Sequence, residues 1–285
     1  MPTPRPGLLE AHDSENDLET GFARPFVKWV GGKRQVLDHL VAQAPKKFGT
    51  YYEPFVGGGA LFWRLKPERA VLSDMNLRLI RTYRGIRDSV HDVIRLLRSY
   101  PYEKDFFLDL RKRAIDGCSD AEVAAWFVYL NKAGFNGLYR VNSKNIFNVP
   151  FGRYTSPSIC DERTLRACAK ALAGADIRHG SFETVTAEAV RGDFVYFDPP
   201  YIPVSDTSFF TAYTADGFDW SAQQNLRNLA LELKDRGVRV LLSNSSAPAV
   251  YELYKRRFKI IEINATRLVN ATVAGRGTVV ELLIK

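Results

Sequence analysis

No stretch of this sequence approaches eighteen consecutive apolar residues, the length a helix needs to cross a bilayer, so no membrane span is expected. The opening segment, MPTPRPGLLEAHDSENDLETG, has no apolar block of signal-peptide length. Residues 1–22 therefore read as a polar, disordered tail, and the location as cytoplasmic. Cysteine is scarce: Cys118, Cys160 and Cys168 form no CxxC pair and leave an odd count, which argues against a zinc ribbon or disulfide framework and for inert thiols. Two nucleotide-binding signatures are also missing. There is no GxGxxG, and a Walker loop needs four residues before its Gly-Lys and a Ser or Thr after it, where Arg34 stands. Both a NAD-dependent dehydrogenase and a P-loop ATPase are poorly supported.

The 285 residues suffice for one large α/β domain with an insertion. Lys and Arg outnumber Asp and Glu 40 to 32, a formal charge of +8 that favours an anionic partner such as nucleic acid. Seven short apolar runs read as strands, near 51–55, 70–73, 176–179, 194–197, 238–243, 258–263 and 278–284. Helical spacing alternates with them at 59–65, 182–190, 221–234 and 248–256, which predicts a mainly parallel, doubly wound α/β sheet. About 100 residues separate the second run from the third, more than one crossover needs, so a further unit is inserted there. Helical pattern covers 77–100 and 121–133, followed by the polar GFNGLYRVNSKNIFNVPFGRY. Arg78, Arg81, Arg84 and Arg87 recur every third residue, a spacing that drifts around a helix and reads as a broadly basic, solvated surface.

Three motifs bear on chemistry. YYEPFVGGGALFW places three glycines between a strand and a helix, where a tight turn lets backbone approach a ligand; a plain glycine-rich turn is the alternative. Asp74 ends the next strand where a dinucleotide fold puts the acid for ribose hydroxyls, or it caps the helix beginning at Asn76. KWVGGK offers a flat ring, two small residues and two cations, or simply a buried tryptophan with solvated lysines. Finally, DFVYFDPPYIPV is a strand that stops at two prolines, neither able to extend a ladder. A carboxylate at a central strand's end, a rigid corner without N–H donors and a tyrosine suit one task. Asp198 and the Pro199 carbonyl can accept the two N–H bonds of an exocyclic amine, and Tyr201 can stack on its base. A strand-ending turn without chemistry is the alternative.

With KWVGGK, EPFVGGGALF, LSDMN, NKAGFNGLYR, FNVPFGRY, FDPPYIPVSDTSFFTAY and LLSN in this order, residues 25–285 resemble the Dam-type (class alpha, D12) DNA adenine-N6 methyltransferases. The resemblance implies a Rossmann-like doubly wound, seven-stranded methyltransferase sheet, with catalytic parts at 23–75 and 161–285 around an inserted helical and hairpin target-recognition domain at 76–160. It implies S-adenosylmethionine as cofactor, at Trp29, Lys33, Phe55, Gly57, Asp74, Phe182 and Asp198, and catalysis by Asp198, Pro199, Pro200 and Tyr201. Phe182 reads equally as core packing. Duplex DNA is the implied partner of a monomer, through Lys28, Phe135, Asn136, Leu138, Arg140, Pro150, Arg153 and Tyr154. Phe135 and Leu138 also suit a hairpin core, and Arg153 a phosphate contact.

The implied reaction is direct methyl transfer to an adenine flipped out of the duplex, with no metal, at GATC or a related short site. The sequence departs from the family where Glu183 replaces an aspartate, where Arg276 is the one cation before the last strand, and at Asn244-Ser245-Ser246. RNA methylation and a silent DNA-binding regulator are the rival readings. An orphan enzyme and a restriction-modification partner are equally compatible with the sequence.

Overall fold

The computed structural model describes residues 23–203, 218–266 and 278–285. The expected N-terminal tail, all of SDTSFFTAY and Arg276 lie outside these residues. The strands are β1 (Tyr51–Glu53), β2 (Ala70–Asp74), β3 (Ala175–His179), β4 (Phe194–Phe197), β5 (Arg239–Ser245), β6 (Ile260–Thr266) and β7 (Thr278–Ile284). They form a mixed seven-stranded sheet in the order β3-β2-β1-β4-β5-β7-β6. The first five are parallel, and β7 runs antiparallel between β5 and β6. β1 and β4 are buried along their whole length, as central parallel strands must be. β1 ends at Glu53 rather than Phe55 because Pro54 has no N–H for the ladder. β6 starts later and runs longer than its apolar run suggests, since pairing with β7 continues to Thr266↔Thr278.

The helices are α1 (Leu37–Gln43), α2 (Ala60–Leu65), α3 (Leu77–Ser99), α4 (Lys104–Leu110), α5 (Asp120–Ala133), α6 (Glu162–Leu172), α7 (Phe182–Thr186), α8 (Trp220–Asp235) and α9 (Pro248–Tyr254). Asn76 caps α3 by accepting from the Leu79 amide, and the helix kinks at Ser89. α5 opens on a capping box between Ser119 and Glu122. Sequence pattern missed α4 and α6 and overran α7, which ends at Thr186. Apolar packing runs without a break from Tyr51, Leu72 and Tyr196 in the sheet through Tyr83 of α3 to Trp126, Phe127 and Leu130 of α5. Among the described residues, no helix is long and apolar enough to cross a membrane.

The arginine series of α3 is not a solvated face. Arg78 is buried, holds both Asp116 oxygens at 2.7 Å and donates to the Asn145 carbonyl at 2.8 Å. Arg81 binds Asp120 and the Asp116 carbonyl. Arg84 and Arg87 donate to the Ile177 and Ala175 carbonyls of β3. A three-residue spacing turns through about 300° per step, and each guanidinium meets a different neighbour because the inserted chain and β3 wrap successive faces of the helix.

Candidate active site

Strand order reverses between β1 and β4, so crossover connections leave this point in opposite directions and open a crevice at the strands' carboxyl ends. β1 ends there in Glu53 and β4 is followed there by Asp198. Asp198 Oδ1 lies 2.8 Å from the Lys33 Nζ, which comes from the loop before α1 and is only 6% exposed. Lys33 also stands 3.5 Å from Glu281 Oε1 of β7, donates to the Gly31 carbonyl, and lies over the Tyr201 ring at 4.6 Å. Tyr201 in turn donates to Glu281 Oε1 at 2.6 Å. One ammonium is therefore shared by two carboxylates, and one of those carboxylates also holds the aromatic ring beyond the proline corner.

Burial dominates the electrostatics. It raises the Asp198 carboxyl above its ordinary range, against the pull of Lys33. For Lys33, burial acts to weaken the ammonium, but Asp198 and Glu281 together outweigh it and its pKa is raised. Burial takes Glu53 up to about 8, although the Tyr51 hydroxyl donates to it at 2.9 Å. The corner itself is fastened by Gln223 of α8, which donates to the Pro200 carbonyl at 2.8 Å and accepts from Asn244. Ser245 donates to the Ile202 carbonyl.

Beside the carboxylates lies the glycine turn. Gly57 adopts φ +46, and a Cβ there would stand 2.6 Å from the Trp29 ring. The Gly57 amide donates to Asp74 Oδ2 at 3.1 Å and the Asn76 amide to Oδ1 at 2.9 Å. Asp74 thus anchors the turn, and the cap of α3 is Asn76 rather than Asp74. Phe55 stacks on Phe182 at 5.6 Å and meets Phe197 and Phe218 edge-on. Phe182 is buried in this cluster, as the core-packing expectation has it. Of the residues expected at the cofactor, Lys33 meets Asp198, Gly57 meets Trp29 and Asp74, and Phe55 meets Phe182.

The other expected residues surround a second feature, a 3-10 turn over Phe135–Gly137 after α5. Phe135 is 49% exposed, while Asn136 and Gly137 take positive φ. Asn131, fully buried on α5, accepts from the Lys28 amide at 2.8 Å and donates to the Lys28 and Gly137 carbonyls at 2.9 and 2.7 Å. Lys28 extends over the Tyr154 ring at 5.2 Å, and Tyr154 accepts from the Asn136 amide. The Phe135 amide donates to the Pro150 carbonyl, Arg140 is tied to Asn148, and Leu138 packs against the core. Lys28, Asn136, Arg140, Pro150 and Arg153 are exposed. Trp29 stacks on Phe127 and Tyr139, which joins this face to the crevice through adjacent residues of one loop.

The model for D12 class N6 adenine-specific DNA methyltransferases matches residues 29–269. The chain belongs to this family. It is 47% identical over 269 residues to a Type II methyltransferase of Lactococcus lactis subsp. cremoris, covering 92% of this chain and 94% of that one. A Type II methyltransferase of Methanocaldococcus jannaschii is 37% identical, with 87% and 93% covered. A DNA adenine methylase of Vibrio cholerae is 34% identical, with 91% and 95% covered.

Three polar residues of this methyltransferase escaped the sequence reading. Glu281 sits in an apolar strand far from every motif, and only the antiparallel register opposite Ser245 and Ile263 brings it to Asp198. Glu53 stood in the glycine motif, but as a charged residue on a central strand its protonation depends on burial that sequence does not reveal. Asn131 stood in NKAGFNGLYR without a signal separating it from any helix-end asparagine.

Proposed function

We propose that the protein transfers a methyl group from S-adenosylmethionine to adenine N6 in duplex DNA, at GATC or a related short site, after flipping the adenine from the helix. The observation that carries this reading is the Asp198, Lys33, Glu281 and Tyr201 cluster at the switch point, directly beside the turn of Gly57, Asp74 and Trp29. The residues fit this cofactor. Gly57 keeps open a space that a Cβ would close against Trp29, Phe55 and Phe182 offer apolar faces, and two carboxylates against one ammonium leave the crevice suited to a cation. When bound, S-adenosylmethionine supplies an activated methyl on a positively charged sulfur.

The adenine amine is a poor nucleophile while its lone pair is delocalised into the ring. Asp198 and the Pro199 carbonyl accept its two N–H bonds and turn the lone pair outward, and Tyr201 stacks on the base, a contact of about 1–3 kcal/mol. Flipping costs a few kcal/mol, offset by these contacts. Positioning and fixed electrostatics supply the rest of the acceleration. Residues 76–160 act as the recognition unit between catalytic parts 23–75 and 161–285. Lys28, from catalytic part 23–75, and Arg140 read guanine edges, while within the recognition unit Phe135 fills the gap left by the flipped base, and Asn136, Leu138, Pro150, Arg153 and Tyr154 shape and ground the contact.

Asp198→Ala tests the assignment. Methylation of duplex DNA should fall by at least about a hundredfold while DNA affinity stays within a few-fold of wild type; near-normal turnover would sink the assignment. Transfer to RNA in preference to DNA would replace the substrate half of the reading.

A further inference from the structure

One oxygen of Asp198 is already engaged in this arrangement: its Oδ1 is fully buried and lies 2.8 Å from the Lys33 ammonium, while the side chain as a whole keeps 21% exposure. The same ammonium has a second carboxylate, Glu281, at 3.5 Å. Glu281 is itself largely buried, at 14% exposure, and takes the Tyr201 hydroxyl at 2.6 Å. It is fixed by pairing on both sides, since β7 lies between β5 and β6. A buried ionisable group with no structural reason to be ionic is costly to retain. Its place suggests what it does.

We propose that Glu281 is a positioning residue for methyl transfer, holding Tyr201 through its hydroxyl and sharing the Lys33 ammonium with Asp198, so that the ammonium is only partly neutralised by Asp198 and the Asp198 carboxylate stays available to the adenine amine. The inference rests on the function proposed above. The balance of the reaction explains the need. As the amine's lone pair forms the N–CH3 bond, the S–CH3 bonding pair stays on sulfur and N6 gains a positive charge, which it sheds by releasing one proton. Asp198 is the acceptor within reach. A proton arriving on Asp198 is opposed by a neighbouring ammonium, and Glu281 reduces that opposition by sharing Lys33.

The groups facing Asp198 are Lys33 from the loop before α1, Tyr51 and Glu53 on β1, Tyr196 on β4, Tyr201 beyond it, and Glu281 on β7. Lys33 lowers the Asp198 pKa and Glu281 raises it. Removing the Glu281 charge must therefore lower the pKa of Asp198, and removing Lys33 must raise it.

The test compares wild type, Glu281→Gln and Lys33→Gln as purified full-length proteins. Glu281→Gln keeps an acceptor for Tyr201 but loses the charge. The single-turnover rate should fall about tenfold, a change of about 1.4 kcal/mol, with the acidic limb of its pH profile moved to lower pH. In calorimetry, affinity for cationic S-adenosylmethionine should fall about fivefold, while affinity for neutral S-adenosylhomocysteine holds and shows that the crevice is folded. The Lys33→Gln limb should move to higher pH. A Glu281→Gln enzyme with a rate within twofold, an unmoved limb and an unchanged ratio of the two affinities overturns the inference, as does a limb that moves the same way in both variants. Absence of adenine methylation by wild type would instead overturn the function on which the inference rests.

Discussion

Asn131→Ala removes three hydrogen bonds from a side chain with no exposure, and leaves the Lys28 amide, the Lys28 carbonyl and the Gly137 carbonyl without their partner. A buried hydrogen bond contributes about 1 kcal/mol net, and a buried group left unpaired costs about 1–3 kcal/mol. Water entering the space left behind recovers part of this, so the expected loss is about 3 kcal/mol. For a chain of this size that lowers the unfolding midpoint by about 6 °C. Asn131→Asp sharpens the argument, because it keeps the acceptor for the Lys28 amide but turns a donor into an oxygen facing two carbonyl oxygens. At pH 8 it should be less stable than the alanine variant. The two carbonyls favour the protonated form of the introduced carboxyl, so its folded pKa is raised above the unfolded one; stability is then present at low pH and lost as pH rises. The assay is thermal unfolding followed by circular dichroism at pH 5 and pH 8. A loss below about 1 kcal/mol for Asn131→Ala, or an aspartate variant as stable as wild type at pH 8, would refute the reasoning.

Two glycines should separate the two halves of the site. Gly57→Ala imposes a positive φ on alanine, about 1–2 kcal/mol, and places a Cβ 2.6 Å from Trp29, so calorimetry should show S-adenosylmethionine affinity falling by tenfold or more. Gly137→Ala places its Cβ 2.5 Å from the Lys28 side chain; fluorescence anisotropy should show weaker DNA binding, with cofactor affinity within about twofold of wild type. Glu53 binds its proton up to about 8 in the folded chain against 4.5 unfolded. Stability from this group is full at pH below 4.5 and lost as pH rises towards 8. Glu53→Gln should therefore flatten the fall in unfolding midpoint between pH 5 and 8, and an unchanged slope would contradict a buried, protonated Glu53.

Sequence pattern carried the architecture where local rules decide. The five parallel strands and the crossover helices other than α6 came from apolar runs and helical spacing, and DPPY and the glycine turn each fell at the strand end that chain chemistry required. What it missed depended on contacts made far along the chain. The α3 arginines look solvated by spacing, but Asp116, Asp120 and the carbonyls of β3 surround them. Asp74 suits a ribose-binding acid or a helix cap by position alone, and only the fold brings the Gly57 amide onto its carboxylate. Glu281 belongs to the site only because an antiparallel strand slots between β5 and β6, a pairing that apolar periodicity does not specify.

The most direct test of the account is to incubate the protein with adenine-containing duplex DNA and labelled S-adenosylmethionine, digest the DNA to nucleosides, and sequence the modified sites. The account predicts N6-methyladenine confined to one short motif such as GATC, and none with Asp198→Ala. Label absent from DNA while the cofactor is bound, or label on a base other than adenine, would contradict it.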